Sequence, residues 1–320
     1  MIVAPLAALL LAFPGRMPPL SQVSTPYSAS KNQITSFDDN PPFKGVVVLE
    51  DLGCPDLHRN RIRRHFSDDN GNLPEYEVLT ITSSTSTENI LKHIVNRLAH
   101  LDAPVDAKEV AESIEFYLRS GKRAIGAARR VLKNNDVTED QSMVVKDLCS
   151  GHGLTGMLFA ACNPPARLKA SMRVLLVDHK EPQSHAILRN IISEVCPWVK
   201  EDTVKFVEAD LDDYVTKSRS VDATDEASII ISTHACGSLT DDVIGYAVES
   251  RAASVSVMPC CYTGTAKGTP YGVQRMFGVG ASADIKRSFL LHDNGYHVDF
   301  AAIPKAITPM NRLIVAERRC

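Results

Sequence analysis

Three acidic residues and a glycine loop carry the first chemistry legible in this chain. The segment Asp147-Leu148-Cys149-Ser150-Gly151-His152-Gly153-Leu154-Thr155-Gly156 closes an apolar run that begins at Met143. Glycines placed there let the backbone turn tightly and approach a ligand at the N-terminus of a following helix. The segment also satisfies G-x-G-x-x-G, and Asp178 follows at about the 20-residue spacing of a carboxylate that bonds ribose hydroxyls in a dinucleotide site. Asp147 points elsewhere, because it stands inside an apolar run where a dinucleotide site normally has an apolar residue. A buried carboxylate is costly unless partnered. Asp210, in Glu208-Ala209-Asp210-Leu211, ends a third apolar run. Three such acidic ends in succession argue against a set of plain helix N-caps.

A second group of residues has acid–base and soft-ligand character: His234-Ala235-Cys236-Gly237, Met258-Pro259-Cys260-Cys261-Tyr262 and Thr308-Pro309-Met310-Asn311-Arg312. A histidine with a near-neutral pKa can accept a proton from an oxygen or nitrogen nucleophile, and it can equally serve as a structural hydrogen-bonding residue. His234, Cys236, Cys260 and Cys261 are also the residue types of a zinc tetrad. Adjacent strand-end cysteines should point in different directions, however, and no C-x-x-C pair is present. No metal is therefore expected, and the thiols are expected to pack against a small ligand.

Seven apolar runs must position these residues: Met143 to Cys149, Arg173 to Val177, Val204 to Ala209, Ala227 to Thr233, Ser254 to Met258, His297 to Ile303 and Arg312 to Glu317. Their alternation with helical segments predicts an α/β fold with a parallel sheet and crossover helices. The link from Pro304 to Asn311 is too short for a helical crossover, so the last strand should run antiparallel. Ligands of such sheets bind outside the carboxyl ends of the strands, which makes the His234 and Pro259 segments neighbours there. The turn before the last strand lies on the same edge, so Asn311 and Arg312 should reach a substrate.

The D-x-x-x-G-x-G arrangement of Asp147, Gly151 and Gly153 resembles the first motif of class I (Rossmann-like) S-adenosylmethionine-dependent methyltransferases, and five βα units closed by a hairpin resemble their seven-stranded sheet. The resemblance implies that Asp147, Gly151 and Gly153 line the methionine moiety of S-adenosyl-L-methionine, that Asp178 bonds the ribose, and that Asp210 with Leu211 meets the adenine. The HACG, PCC and TPMNR segments resemble a methyltransferase family that includes a tRNA 2'-O-methyltransferase. That implies methyl transfer to an oxygen or nitrogen nucleophile, with His234 as the catalytic base and Cys236, Pro259, Cys260, Asn311 and Arg312 at the substrate. The resemblance covers the C-terminal part alone, and the N-terminal half lacks the zinc-finger cysteines of the tRNA enzymes. Rival readings are a protein or small-molecule methyltransferase, an inert binding protein that keeps the fold, and an NAD-dependent enzyme.

The chain has 320 residues, 44% hydrophobic and 23% charged, which excludes disordered and collagen-like classes. A net charge of -3 leaves only local basic patches to attract nucleic acid. Two are present: Arg59, Arg61, Arg63 and Arg64, and a helix with Lys122, Arg123, Arg129, Arg130 and Lys133. RNA is the partner they would fit. Residues 1–45 read as a presequence or linker, 46–135 as a small α+β or helical accessory domain, and 136–320 as the catalytic domain. The apolar run Ile2 to Phe13 is too short to span a membrane. The eight scattered cysteines read as reduced thiols, which places the chain in an intracellular compartment, cytoplasmic or organellar. Oligomeric state is not encoded in any recognisable pattern.

Overall fold

The computed structural model describes residues 61–73, 75, 80–134, 142–218, 227–265, 268–305 and 307–319. The segment 1–45, the first residues of the expected accessory domain and Arg59 lie outside the described residues.

The seven predicted strands all form: β1 (Ser142–Leu148), β2 (Ser171–Asp178), β3 (Val204–Glu208), β4 (Ala227–Ser232), β5 (Ser254–Val257), β6 (Tyr296–Ala302) and β7 (Arg312–Arg318). They make one sheet in the order β3-β2-β1-β4-β5-β7-β6. β1 to β5 pair in parallel, and β7 runs antiparallel to both β5 and β6. A six-stranded dinucleotide fold has the order 3-2-1-4-5-6, so the insertion of β7 between β5 and β6 separates this sheet from that rival. Alternation along the central strands is visible in the core. Met143, Val145, Ile229, Ile231, Leu313 and Val315 fill one hydrophobic cluster, while Leu148, Ile230, Val255, Val257, Ile314 and Ala316 fill the other. Both faces are covered, which is why these strands read as continuous apolar runs.

Helices α1 (Ile62–Phe66), α2 (Thr87–His100) and α3 (Ala107–Asn134) precede the sheet. α2 is capped by Ser86, whose hydroxyl accepts the Asn89 N–H at 3.2 Å. α3 is a single helix of 28 residues. Gly121 does not end it, because the Tyr117 ring packs over that position and an added Cβ would lie 2.5 Å from it.

Core packing crosses the expected boundary at residues 135 and 136. Ile62, Ile90, Leu98, Val110, Ile114 and Leu132 belong to the same buried cluster as the β-strand residues Val145 and Ile229. Among the described residues the amphipathic helices share this core and roof one face of the sheet. The remaining helices are α4 (Leu154–Cys162), α5 (Pro165–Leu168), α6 (Gln183–Val195), α7 (Leu211–Ser218), α8 (Leu239–Glu249) and α9 (Tyr271–Asp293). Among the described residues no helix is long and apolar enough to cross a membrane.

Candidate active site at the carboxyl edge of the sheet

After β1 the chain turns through Cys149, Gly151 and Gly153, all with positive φ, into α4. At Gly153, φ is +79°, and a Cβ would lie 2.4 Å from Leu176 Cδ1. Only glycine lets α4 start this close to β2. Asp147 is fully buried beneath the turn, and its Oδ2 accepts the Gly156 N–H at 2.9 Å. Burial pushes its pKa well above the usual carboxylate range; the Gly156 N–H opposes this and the Asp178 charge adds to it. Asp178 accepts the Gly151 N–H at 2.8 Å through one oxygen and the His179 N–H at 2.8 Å through the other. The two carboxylates thus hold the loop from below and from the side.

Beside this loop lies a cavity of about 170 Å³ lined by Cys149, Asp178, His179, Asp210, Leu211 and Leu239. The sequence-predicted Asp178, Asp210 and Leu211 therefore meet in one place. A larger cleft of about 800 Å³ sits at the other end of β2, beside Ser171 and Arg173. Parallel α/β sheets bind ligands at the carboxyl ends of their strands, so the smaller cavity is the candidate site. Asp147 Oδ1, Ser150 Oγ and Thr233 Oγ1 are buried at the ends of β1 and β4 without hydrogen-bond partners. Unpaired buried polar atoms are uncommon and call for an explanation. A small polar ligand carrying donors and acceptors fits this environment.

His234 follows β4 and its ring stands over the glycine loop, with Cδ2 3.5 Å from where a Gly151 Cβ would be. Burial lowers its pKa below the ordinary histidine value, against the opposing charges of Glu112 and Glu109. Those two carboxylates come from the start of α3, a contribution that the sequence reading missed. His152 Nε2 lies 3.4 Å from Glu109 Oε2, and its Nδ1 contacts Ser184 Oγ. The Glu109 hydrogen bond raises the His152 pKa. Burial acts to raise that of Glu109, but the hydrogen bond and charge of His152 outweigh it and the net shift is downward. Lys108 pairs with Glu112 at 2.7 Å. The only cue in the sequence was the charged first turns of a helix read as part of a separate domain.

Asp284 on α9, also absent from the sequence reading, ties the later motifs together. Its carboxylate accepts from Tyr262 Oη at 2.7 Å, Arg312 Nε at 2.9 Å and Arg287 Nη1 at 3.3 Å. Arg287, only 1% exposed, also donates to the Gly237 carbonyl at 3.0 Å and to Asp241 at 3.0 Å. Three of the residues expected at the substrate have the following places in the fold. Arg312 is engaged by Asp284 and Tyr262. Asn311, 4% exposed, donates to the Ile303 carbonyl at 2.8 Å and closes the hairpin. Pro259 is buried. The turn does lie on the carboxyl edge, but its polar side chains serve the fold.

The cysteines also depart from expectation. Cys236 and Cys260 are paired sulfur to sulfur, with Cα atoms 5.6 Å apart, and Cys261 joins them. Cys260 and Cys261 lie beyond the end of β5 at Val257, so strand alternation no longer turns them apart.

Residues 122–267 match a family described as a methyltransferase domain. That match begins inside α3, upstream of the boundary expected at 136. A Xenopus laevis protein described as a glutathione S-transferase C-terminal domain-containing protein is 32% identical over 118 residues, which is 37% of this chain and 16% of that protein. Among solved structures, the chain is similar to a magnesium protoporphyrin IX methyltransferase from Synechocystis with bound SAH (12% identity, covering 70% of this chain and 93% of the other, TM-score 0.35). It is also similar to a Methanococcus jannaschii fibrillarin pre-rRNA processing protein (10%, 56% and 67%, TM-score 0.34). The low scores make these two likenesses only. The strand order, the glycine loop held by Asp147 and Asp178, and the match over residues 122–267 agree in likening this part of the chain to a methyltransferase domain.

Proposed function

We propose that the chain transfers the methyl group of S-adenosylmethionine to an oxygen or nitrogen nucleophile, with His234 accepting the proton. The observation that carries this reading is the place of His234: at the end of β4, over the Gly151 turn, with burial favouring its neutral form. In this reading Gly151 and Gly153 admit the methionine end of the cofactor above Asp147, Asp178 takes the ribose hydroxyls, and Asp210 with Leu211 borders the adenine. A bound cofactor would supply an electrophilic methyl group, and the chain's own part would be for His234 to accept the proton that the nucleophile gives up. In-line positioning supplies much of the remaining rate.

Replacing the base tests this. His234→Ala should bind S-adenosylhomocysteine as tightly as wild type in calorimetry, yet lose about 10²–10⁴-fold in kcat. Wild-type kcat should itself fall as pH drops below the ordinary histidine value, because the ring must be neutral to accept a proton. Undiminished turnover by His234→Ala would remove the base role. Thermal stabilisation by S-adenosylhomocysteine, and none by NAD, is expected from the sheet order.

For the acceptor we propose RNA, on the exposed positions of Arg61 and Arg64 around α1. Arg123, Arg129 and Arg130 no longer contribute to this argument. Arg123 bonds Glu317 and Asp299, Arg130 bonds Glu317, and Arg129 donates to the Arg167 carbonyl. Labelled methyl transfer to RNA, protein and metabolite fractions decides among acceptors, and RNA binding should weaken steeply with salt.

A further inference from the structure

We infer that, in the reduced protein, Cys236, Cys260 and Cys261 bind one thiophilic divalent cation of the zinc type. The three sulfurs lie within 4.8 Å of one another. Tetrahedral thiolate coordination at about 2.3 Å per bond sets sulfur–sulfur separations of about 3.8 Å, so small side-chain rotations suffice to close a cation between them.

The two loops that bear the ligands are held together without help from a metal. Gly237 adopts φ +60°, and a Cβ there would lie 2.4 Å from the Thr263 carbonyl oxygen. Arg287 fixes the Gly237 carbonyl at 3.0 Å. The cysteine before Gly237 and the two before Tyr262 are thereby kept in register, and a site supported in this way is organised before the ion arrives.

In the structure Cys236 and Cys260 are joined sulfur to sulfur, with Cα atoms 5.6 Å apart, so the cation site belongs to the reduced protein. Reduction places two freed thiols beside Cys261, three clustered ligands in all. Cys236 is exposed and the other two are half-buried, so an ion can enter from solvent. No fourth histidine, cysteine or carboxylate joins the group among the described residues. Three protein ligands leave a coordination position for water or for an atom of the substrate. In this one respect the inference rests on the proposed function, which puts the methyl acceptor at the same sheet edge.

The test is titration of Co²⁺ into the full-length chain, purified without chelator and kept reduced with a phosphine, with no S-adenosylmethionine present. One equivalent should bind with a thiolate-to-cobalt charge-transfer band, and Zn²⁺ should abolish the band. Cys236→Ser, Cys260→Ser and Cys261→Ser should each weaken binding at least about tenfold, while Cys196→Ala, in the core, should not. Absence of the band in reduced wild type overturns the inference, as does an undiminished band in Cys261→Ser. The wild-type titration is read first, so a misfolded variant cannot decide the matter. Because the cofactor is omitted, the result is independent of whether methyl transfer to any acceptor is found.

Discussion

Asp147 concentrates the conflict between stability and function in one side chain. A carboxyl whose folded pKa is raised binds its proton more tightly in the native state, so its contribution is most favourable below its unfolded value and declines as pH rises toward the folded value. With an ordinary value of 3.8 and a strong upward shift from burial, wild-type stability should fall from pH 4 upward on this account. Asp147→Asn keeps an oxygen for the Gly156 N–H and cannot ionise. It should match or exceed wild-type stability at pH 7 and flatten the pH dependence, as read by urea unfolding between pH 4 and 7. Asp147→Ala should lose about 1–3 kcal/mol by leaving the Gly156 N–H unpaired. An Asp147→Asn protein markedly less stable than wild type at pH 7 would show that the carboxyl is ionised and held by something else.

Between elements, α9 acts as a brace at the carboxyl edge of the sheet. Asp284 and Arg287 are 2% and 1% exposed and join the loops after β4 and β5 to the start of β7. Removing one partner of a buried pair leaves a charge without compensation, which costs about 3–5 kcal/mol. Asp284→Ala should fall toward the low end of that range, because Asp241 still pairs with Arg287 at 3.0 Å. Chemical denaturation measures it, and a loss below about 0.5 kcal/mol, the scale of ordinary surface substitutions, would mean that the brace is not needed.

At the scale of the whole molecule, the helices from Ile62 to Asn134 and the sheet share one core. A fragment beginning at residue 136 loses α1, α2 and α3 and so exposes the apolar surface of the sheet and of α4 that they cover. Each large apolar side chain uncovered forfeits about 1.5–3 kcal/mol, and several together exceed the typical net stability of a domain. The fragment should therefore show no cooperative thermal transition by circular dichroism. A fragment melting at the wild-type midpoint would restore the two-domain description.

What could be read in the chain beforehand was local and periodic. The seven apolar runs form strands whose ends fall within two residues of those expected, and the short Pro304 to Asn311 link does force the antiparallel partner. Asp147, Asp178 and the positive-φ glycines stood out because each violates what a plain strand or turn requires. Sequence alone thus determined the α/β fold and the tight glycine turn after β1, since backbone periodicity and glycine conformational freedom act over a few neighbouring residues. Tertiary structure alone decided the rest. It brought Glu109 and Glu112 to His234, drew three cysteines into one cluster, and engaged Arg123, Asn311 and Arg312 within the fold. Those contacts join residues far apart in the chain, and a side chain's role there depends on what the closed sheet and its covering helices place against it.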